Sequence, residues 1–352
     1  MNKKLIALAI AGAFTAPVAM AQTANPVTLY GRVHLTFEAV ESKGSAGGEI
    51  KNRTRVQDQA SLLGVRGTED IGGGTKVFFQ LETAFAPDQS PGTNGGFAGR
   101  NSGVGFQGGW GSLMMGRWDT PFKVATGAID PFGDVTIAGI SSVNNDQGNF
   151  DRRDGNVVQY WSPNWGGFAF RAMYQANEGK TASGSINPYD HSYSVTWTRG
   201  PVYLYGAWEA HEDQVGTTPT SGSKEEGASI GGTWAFGPVK IGGHWQEYKK
   251  TGRTKKNSYL ANVVWTLGKS QLIYQYQQAE DGGLNGAATQ PECDQNSIAW
   301  QYNFSRRTFT QLIYSKTDNN AAANCAAGPY SATVVPAGSD PQGISFGVRH
   351  VF

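Results

Sequence analysis

A two-residue alternation of apolar and polar side chains recurs along almost the whole chain, broken at intervals by glycine or proline. In Leu29–Phe37, Leu29, Val33, Leu35 and Phe37 share one parity, and Tyr30, Arg32, His34 and Thr36 share the other. The same rhythm sets Val77, Phe79 and Leu81 apart within Lys76–Glu82, and Phe168, Phe170, Ala172 and Tyr174 within Phe168–Tyr174. The last stretch repeats it, with Ile344, Phe346, Val348 and Phe352 on one side and mostly small or polar residues on the other. A period of two places the two sets on opposite faces of a strand, which predicts an all-β chain. Alternation alone does not separate a soluble sandwich from a closed barrel, because both present one apolar face.

The connections narrow the choice. Tight turns are expected at 69–74, 108–111, 164–167, 199–201, 236–238, 267–269 and 305–307, where glycine, proline and small polar residues supply the required backbone angles. Between them fall longer connections near 42–52, 87–98, 119–154, 178–188, 212–226, 250–256, 280–294 and 318–341. Short and long links in alternation predict an antiparallel up-and-down barrel of about sixteen strands. Trp110, Trp118, Trp165 and Trp208 sit near predicted strand ends, where tryptophan in a membrane barrel meets the lipid–water boundary. No break in composition divides the chain, so a single barrel domain is expected over 22–352.

Residues 1–21 read as a secretory leader: a basic start at Lys3-Lys4, an apolar stretch from Leu5 to Val18, and small residues at Ala19 and Ala21. Beyond them no apolar run is long enough for a membrane helix, and the mean hydropathy is −0.40. A barrel strand shows lipid only every second residue, so this low value is compatible with a membrane β-protein. Export would bring the chain through an oxidising compartment, which makes Cys293 and Cys325 candidates for a disulfide. The 29 basic side chains nearly balance the 28 acidic ones, which gives no indication of a nucleic-acid partner. The closing aromatic, Phe352, looks like the assembly signal of bacterial outer-membrane proteins.

Several segments are more specific. Ser61–Gly72 followed by Val77–Glu82, then Gly111–Arg117, Asn156–Pro163 and the terminal run, resemble the general porins of Neisseria and other β-proteobacteria. The resemblance implies a sixteen-stranded transmembrane β-barrel in the cell outer membrane, assembled as a homotrimer by the barrel-assembly machinery. It also implies a long third outer loop folded into the lumen. The function implied is passive diffusion of ions and small hydrophilic solutes, with the lipid bilayer as surroundings and no cofactor.

The third loop would follow Arg117. Its Pro, Phe, Val and Ile residues argue for packing against a wall rather than disorder. Asp130 and Asp134 are the loop carboxylates expected at a constriction. Arg32, Arg66, Arg117 and Arg171 are the candidates for a facing basic wall. Alternation turns Arg32, Arg66 and Arg171 inward, whereas Arg117 shares parity with Leu113 and Met115 and needs a bulge to reach the lumen. Gln159, on an inward position, departs from a strongly basic lining.

Other chemistries find little support. Gly103–Gly108 fits G-x-G-x-x-G, but it lies within a predicted strand and opens no helix. His211-Glu212 lacks the second histidine of a zinc helix, no metal site is predicted, and His34 reads as a polar lining residue. Asn52-Arg53-Thr54 is a formal glycosylation sequon, without meaning if the source is bacterial. No Ser/His/Asp set for a hydrolase is evident, so no enzyme activity is expected. A substrate-specific channel or an adhesin barrel is the alternative. Aromatic residues lining the lumen, or current block by a ligand, would mark the former.

Overall fold

The computed structural model describes residues 27–44, 50–88, 96–133, 136–144, 150, 152–176, 178–215, 218–326 and 336–352. The expected leader and Asp134 lie outside these residues. The strands are β1 (Thr28–Lys43), β2 (Ile50–Asp58), β3 (Leu62–Gly72), β4 (Thr75–Ala84), β5 (Ser102–Gly108), β6 (Gly111–Asp119), β7 (Arg153–Trp161) and β8 (Phe168–Ala176). They continue with β9 (Tyr189–Arg199), β10 (Val202–Val215), β11 (Thr218–Phe236), β12 (Val239–Lys250), β13 (Lys256–Leu267), β14 (Ser270–Asp281), β15 (Glu292–Asn303), β16 (Thr308–Asn319) and β17 (Asp340–Val351). Each pairs antiparallel with its neighbours, and β17 pairs with β1 from Arg32↔Val351 to Lys43↔Asp340, which closes the sheet. This closure joins the first strand of the sheet to the last, as a β-protein lying in hydrocarbon requires.

These segments make sixteen barrel strands, because β2 and β3 are two halves of one. Both pair with β1, and Gln59-Ala60-Ser61 between them leaves the ladder, with Ala60 at φ 56°. Side chains repair the break. Ser61 Oγ accepts from the His34 N–H at 3.0 Å, and the Ala60 carbonyl accepts from Arg32 Nε and Nη2 at 3.2 and 2.7 Å.

The alternation sorts as the sequence predicts. On β17, Ile344, Phe346 and Val348 are about half exposed on the outer face, while Ser345 between them is 1% exposed. Gln246, Gln275, Gln277 and Gln295 are likewise buried on the inner face. All seven predicted tight turns occur. The 212–226 connection does not: β10 and β11 run on through it, pairing Glu212↔Lys224 and Val215↔Thr218. Cross-strand charges hold this extension together, with Lys224 Nζ 3.0 Å from Glu212 and Lys250 Nζ 2.8 Å from Glu225. Trp118 also departs from expectation. It packs on Phe78, Met114, Val157 and Met173, all buried, instead of facing outward like Trp110 and Trp165.

Cys293 at the start of β15 and Cys325 in the last long connection form a disulfide. The G-x-G-x-x-G stretch lies within β5, as its surroundings suggested.

Candidate functional site

The connection between β6 and β7 packs against the buried face of the sheet. Its first turn is the short helix Pro121–Gly127, capped by Thr120, whose Oγ1 accepts from Lys123 N at 3.2 Å. Pro121 at the first helical position suits this start. Apolar side chains then do what the sequence suggested. Phe122, Ala125, Ile129, Ile140 and Phe150 pack against Tyr205, Ala207, Tyr248 and Leu260. Phe132, Ile137 and Ala138 pack against Val264, Ile273, Ala299 and Ile313.

Polar side chains of the same wall hold the connection's backbone. Ser192 Oγ accepts from Phe122 N at 3.0 Å, and Asn262 Nδ2 donates to Ile129 O at 3.0 Å. Gln275 Nε2 donates to Ala138 O at 2.9 Å, and Gln277 Nε2 to Ala138 O and Gly139 O at 3.3 and 3.2 Å. Gln295 Nε2 reaches Ile137 O at 3.3 Å, and Lys256 Nζ reaches Val143 O at 3.1 Å. A buried carbonyl without a partner costs roughly 1–3 kcal/mol, so these amides and the lysine determine where the connection can lie.

Both roots are tied by charge. At the first, Asp119 pairs with Arg153 at 2.9 Å. At the second, buried Arg152 pairs with Asp154 at 2.7 Å and with Asp190, while Phe150 stacks on His211 at 4.6 Å. Gln159, fully buried, donates from Nε2 to Asp119 O at 3.0 Å.

The tip of the connection meets a cavity of about 430 Å³, lined among others by Asp130, Phe132, Arg32, His34, Lys240, Gln301, Gln311 and Arg349. Asp130 has a bracing role as well as a charge: its Oδ1 accepts from Phe132 N at 2.8 Å and its Oδ2 from Ile140 N at 2.7 Å. The same lining holds Arg32, Lys240 and Arg349, the last with its guanidinium carbon 5.5 Å from the centre of the Phe309 ring. Three fixed cations therefore share the lining with one carboxylate, the only acid among the described residues of this cavity.

The predicted site residues do not all come together. Arg32 and Asp130 share this cavity. Arg66 and Arg171 lie on the inner face elsewhere, over Tyr30 and Trp161 at 5.0 and 5.3 Å. Arg117 keeps the parity of Leu113 and Met115, is exposed, and donates from Nε to Gly99 O at 2.9 Å. The β6–β7 register does shift next to it, but the additional residue is on β7, where Asn156 adopts φ 55°. The structure thus gives Arg117 no place on the inner wall. Sequence reasoning passed over Lys240 and Arg349. Both sit on the inward parity, between Val239 and Ile241 and after Val348, and the alternation rule carried to these strands would have nominated them.

Comparison with known proteins agrees with this architecture. Residues 7–322 match the family model described as Gram-negative porin. The chain is 30% identical over 363 residues to outer membrane porin protein 32 of Delftia acidovorans, covering all of both chains. It is 26% identical over 328 residues to the major outer membrane protein P.IB of Neisseria meningitidis, covering 88% of this chain and 91% of that one. Among solved structures, an anion-selective porin from Comamonas acidovorans superposes with a TM-score of 0.78 at 24% identity, over 93% of this chain and all of the other. OmpF of Salmonella typhi in complex with daunomycin gives 0.65 at 16%, over 93% and 98%, a likeness of fold.

Proposed function

Because this chain belongs to the Gram-negative porin family, a family of outer-membrane diffusion channels, we propose that its β6–β7 connection narrows the water-filled passage and that the narrowed path favours anions. The observation that carries this reading is the charge balance of the cavity at Asp130, where Arg32, Lys240 and Arg349 outnumber the one carboxylate among the described lining residues, and would still outnumber two with Asp134 added. In a confined aqueous path with low-dielectric walls, mobile counter-ions follow the sign of the nearest fixed charges. Both oxygens of Asp130 already accept backbone N–H bonds, which further weakens its hold on a passing cation. The name of the Comamonas porin, anion-selective, supports the same preference.

Asp134 is proposed, with Asp130, to carry the acidic side of the narrowing. Arg66 and Arg171 extend the positive lining beyond it. The family resemblance also supports a homotrimer delivered by the barrel-assembly machinery, since closed symmetric assemblies dominate among homo-oligomers. Unboiled protein should therefore migrate as a trimer, and crosslinking that stops at the dimer would refute this. For the passage, purified protein in a planar bilayer under a salt gradient should give a reversal potential displaced towards the anion's equilibrium potential. A displacement towards the cation's would overturn the proposed selectivity.

A further inference from the structure

Most of the inner face is lined by glutamine, serine and charged residues, but the patch on β4, β6 and β7 is aromatic. Trp161 lies 6.0 Å from Phe78 and 5.2 Å from Trp118, centre to centre. Phe78 is buried, whereas both tryptophans keep part of their surface open. With Arg66 and Gln80 these rings line a second cavity of about 360 Å³, which shares no lining residue with the cavity at Asp130. Its size falls within the roughly 300–1,000 Å³ of small-molecule sites.

Two guanidiniums flank the rings. Arg66 is exposed and lies 5.0 Å from the centre of Tyr30, and Arg171 lies 5.3 Å from the centre of Trp161. Among the described residues neither is in an ion pair, while Arg32, Arg55, Arg100, Arg152 and Arg153 all bond to carboxylates or carbonyls. Trp161 and Trp118 pack on the buried Phe78, Met114, Val157 and Met173 and keep the rest of their surface on the cavity wall, and an aromatic patch rimmed by polar groups is the mark of a ligand-binding groove. A planar ring covers such a patch by stacking, and a carboxylate suits the forked donors of arginine.

We propose that this cavity binds aromatic carboxylates, the ring against Trp161 and Trp118 and the carboxylate on Arg66, with Arg171 adding positive field from across Trp161. The proposal rests on the chain forming an open passage and not on the anion preference at Asp130. The site would hold such anions on their way through and raise their flux at low concentration over that of aliphatic anions of equal charge.

The test uses the full-length protein in planar bilayers with benzoate, cyclohexanecarboxylate, acetate and benzylamine as probes. Benzoate should interrupt the open-channel current in a concentration-dependent manner. Cyclohexanecarboxylate should do so more weakly, and acetate and benzylamine not at all. Arg66→Gln, an exposed position that does not threaten folding, should weaken the benzoate effect about tenfold, the value of one charged hydrogen bond. Trp161→Phe should weaken it less, and quenching of tryptophan fluorescence by benzoate in detergent should follow the same order. A conducting channel on which benzoate acts no more than acetate overturns the site and leaves the diffusion reading intact. A benzoate effect unchanged in both variants also overturns it, since binding would then be elsewhere.

Discussion

Replacing Gln275, Gln277 and Gln295 together by alanine should loosen the tip of the β6–β7 connection without unfolding the barrel. These three side chains supply four hydrogen bonds to the carbonyls of Ile137, Ala138 and Gly139. At a net ~0.5–1.5 kcal/mol each, with neighbours that share an acceptor, about 4 kcal/mol is lost, nearly three decades in the ratio of docked to undocked tip. Packing of Phe132 and Ile137 on Val264, Ile273 and Ile313 survives, so the tip is expected to fluctuate rather than leave. The backbone ladder of β14 and β15 is untouched, because only inward side chains change. Single-channel recording should show a larger mean conductance and greater open-state noise than wild type. Gln301→Ala, on the wall of the same cavity, should leave the noise unaltered. If the folded triple variant conducts with wild-type amplitude and noise, these amides do not hold the connection and the bracing argument is wrong.

Two further outcomes follow, one from the disulfide and one from the closure of the sheet. The Cys293–Cys325 disulfide spans 32 residues and packs on Val143 of the β6–β7 connection, so opening it should cost about 4 kcal/mol on the chain-entropy estimate. Reductant, or alanine at both positions, should lower the temperature at which the folded band converts on heated gels, and an unmoved conversion would count against this. A side chain at Gly31 would place its Cβ 2.4 Å from Phe352 Cζ and 2.8 Å from Leu62 O, beside the reciprocal Gly31–Phe352 backbone bonds that close the barrel. Gly31→Val should sharply reduce folded protein in the outer membrane, whereas Gly109→Ala, in open space, should not, and equal levels would contradict this.

Much of the scaffold was legible because its signal is local. Alternation in β1 and β17 and the glycine or proline turns each occupy a few consecutive residues, and a strand's two faces are fixed by parity alone. What was not legible depends on partners distant in sequence. Gln59-Ala60-Ser61 looks like uninterrupted strand, and its break is tolerable only because Arg32 and Ser61 repair it. Residues 212–226 look like a loop by composition, yet Glu212, Lys224, Glu225 and Lys250 pair across strands to extend the ladder. The inner wall is also less uniformly polar than alternation implies. Leu260, Val264 and Ile273 occupy inward positions because the β6–β7 connection covers them. For the site, the long apolar connection and the parity of Arg32 were readable. That Asp130 spends both oxygens on Phe132 and Ile140, and that Arg117 stays outside, needed the register of β6 against β7.

The central claim is that fixed positive charge around Asp130 sets what passes. Its most direct test compares reversal potentials of the wild type and of Lys240→Gln combined with Arg349→Gln, under the same gradient at low salt. These two residues line the cavity, and no strand break depends on either. The wild type should favour the anion, the double variant should move clearly towards the cation, and the difference should shrink at molar salt, where the Debye length is about 3 Å. Identical reversal potentials for the two proteins at low salt would contradict the account.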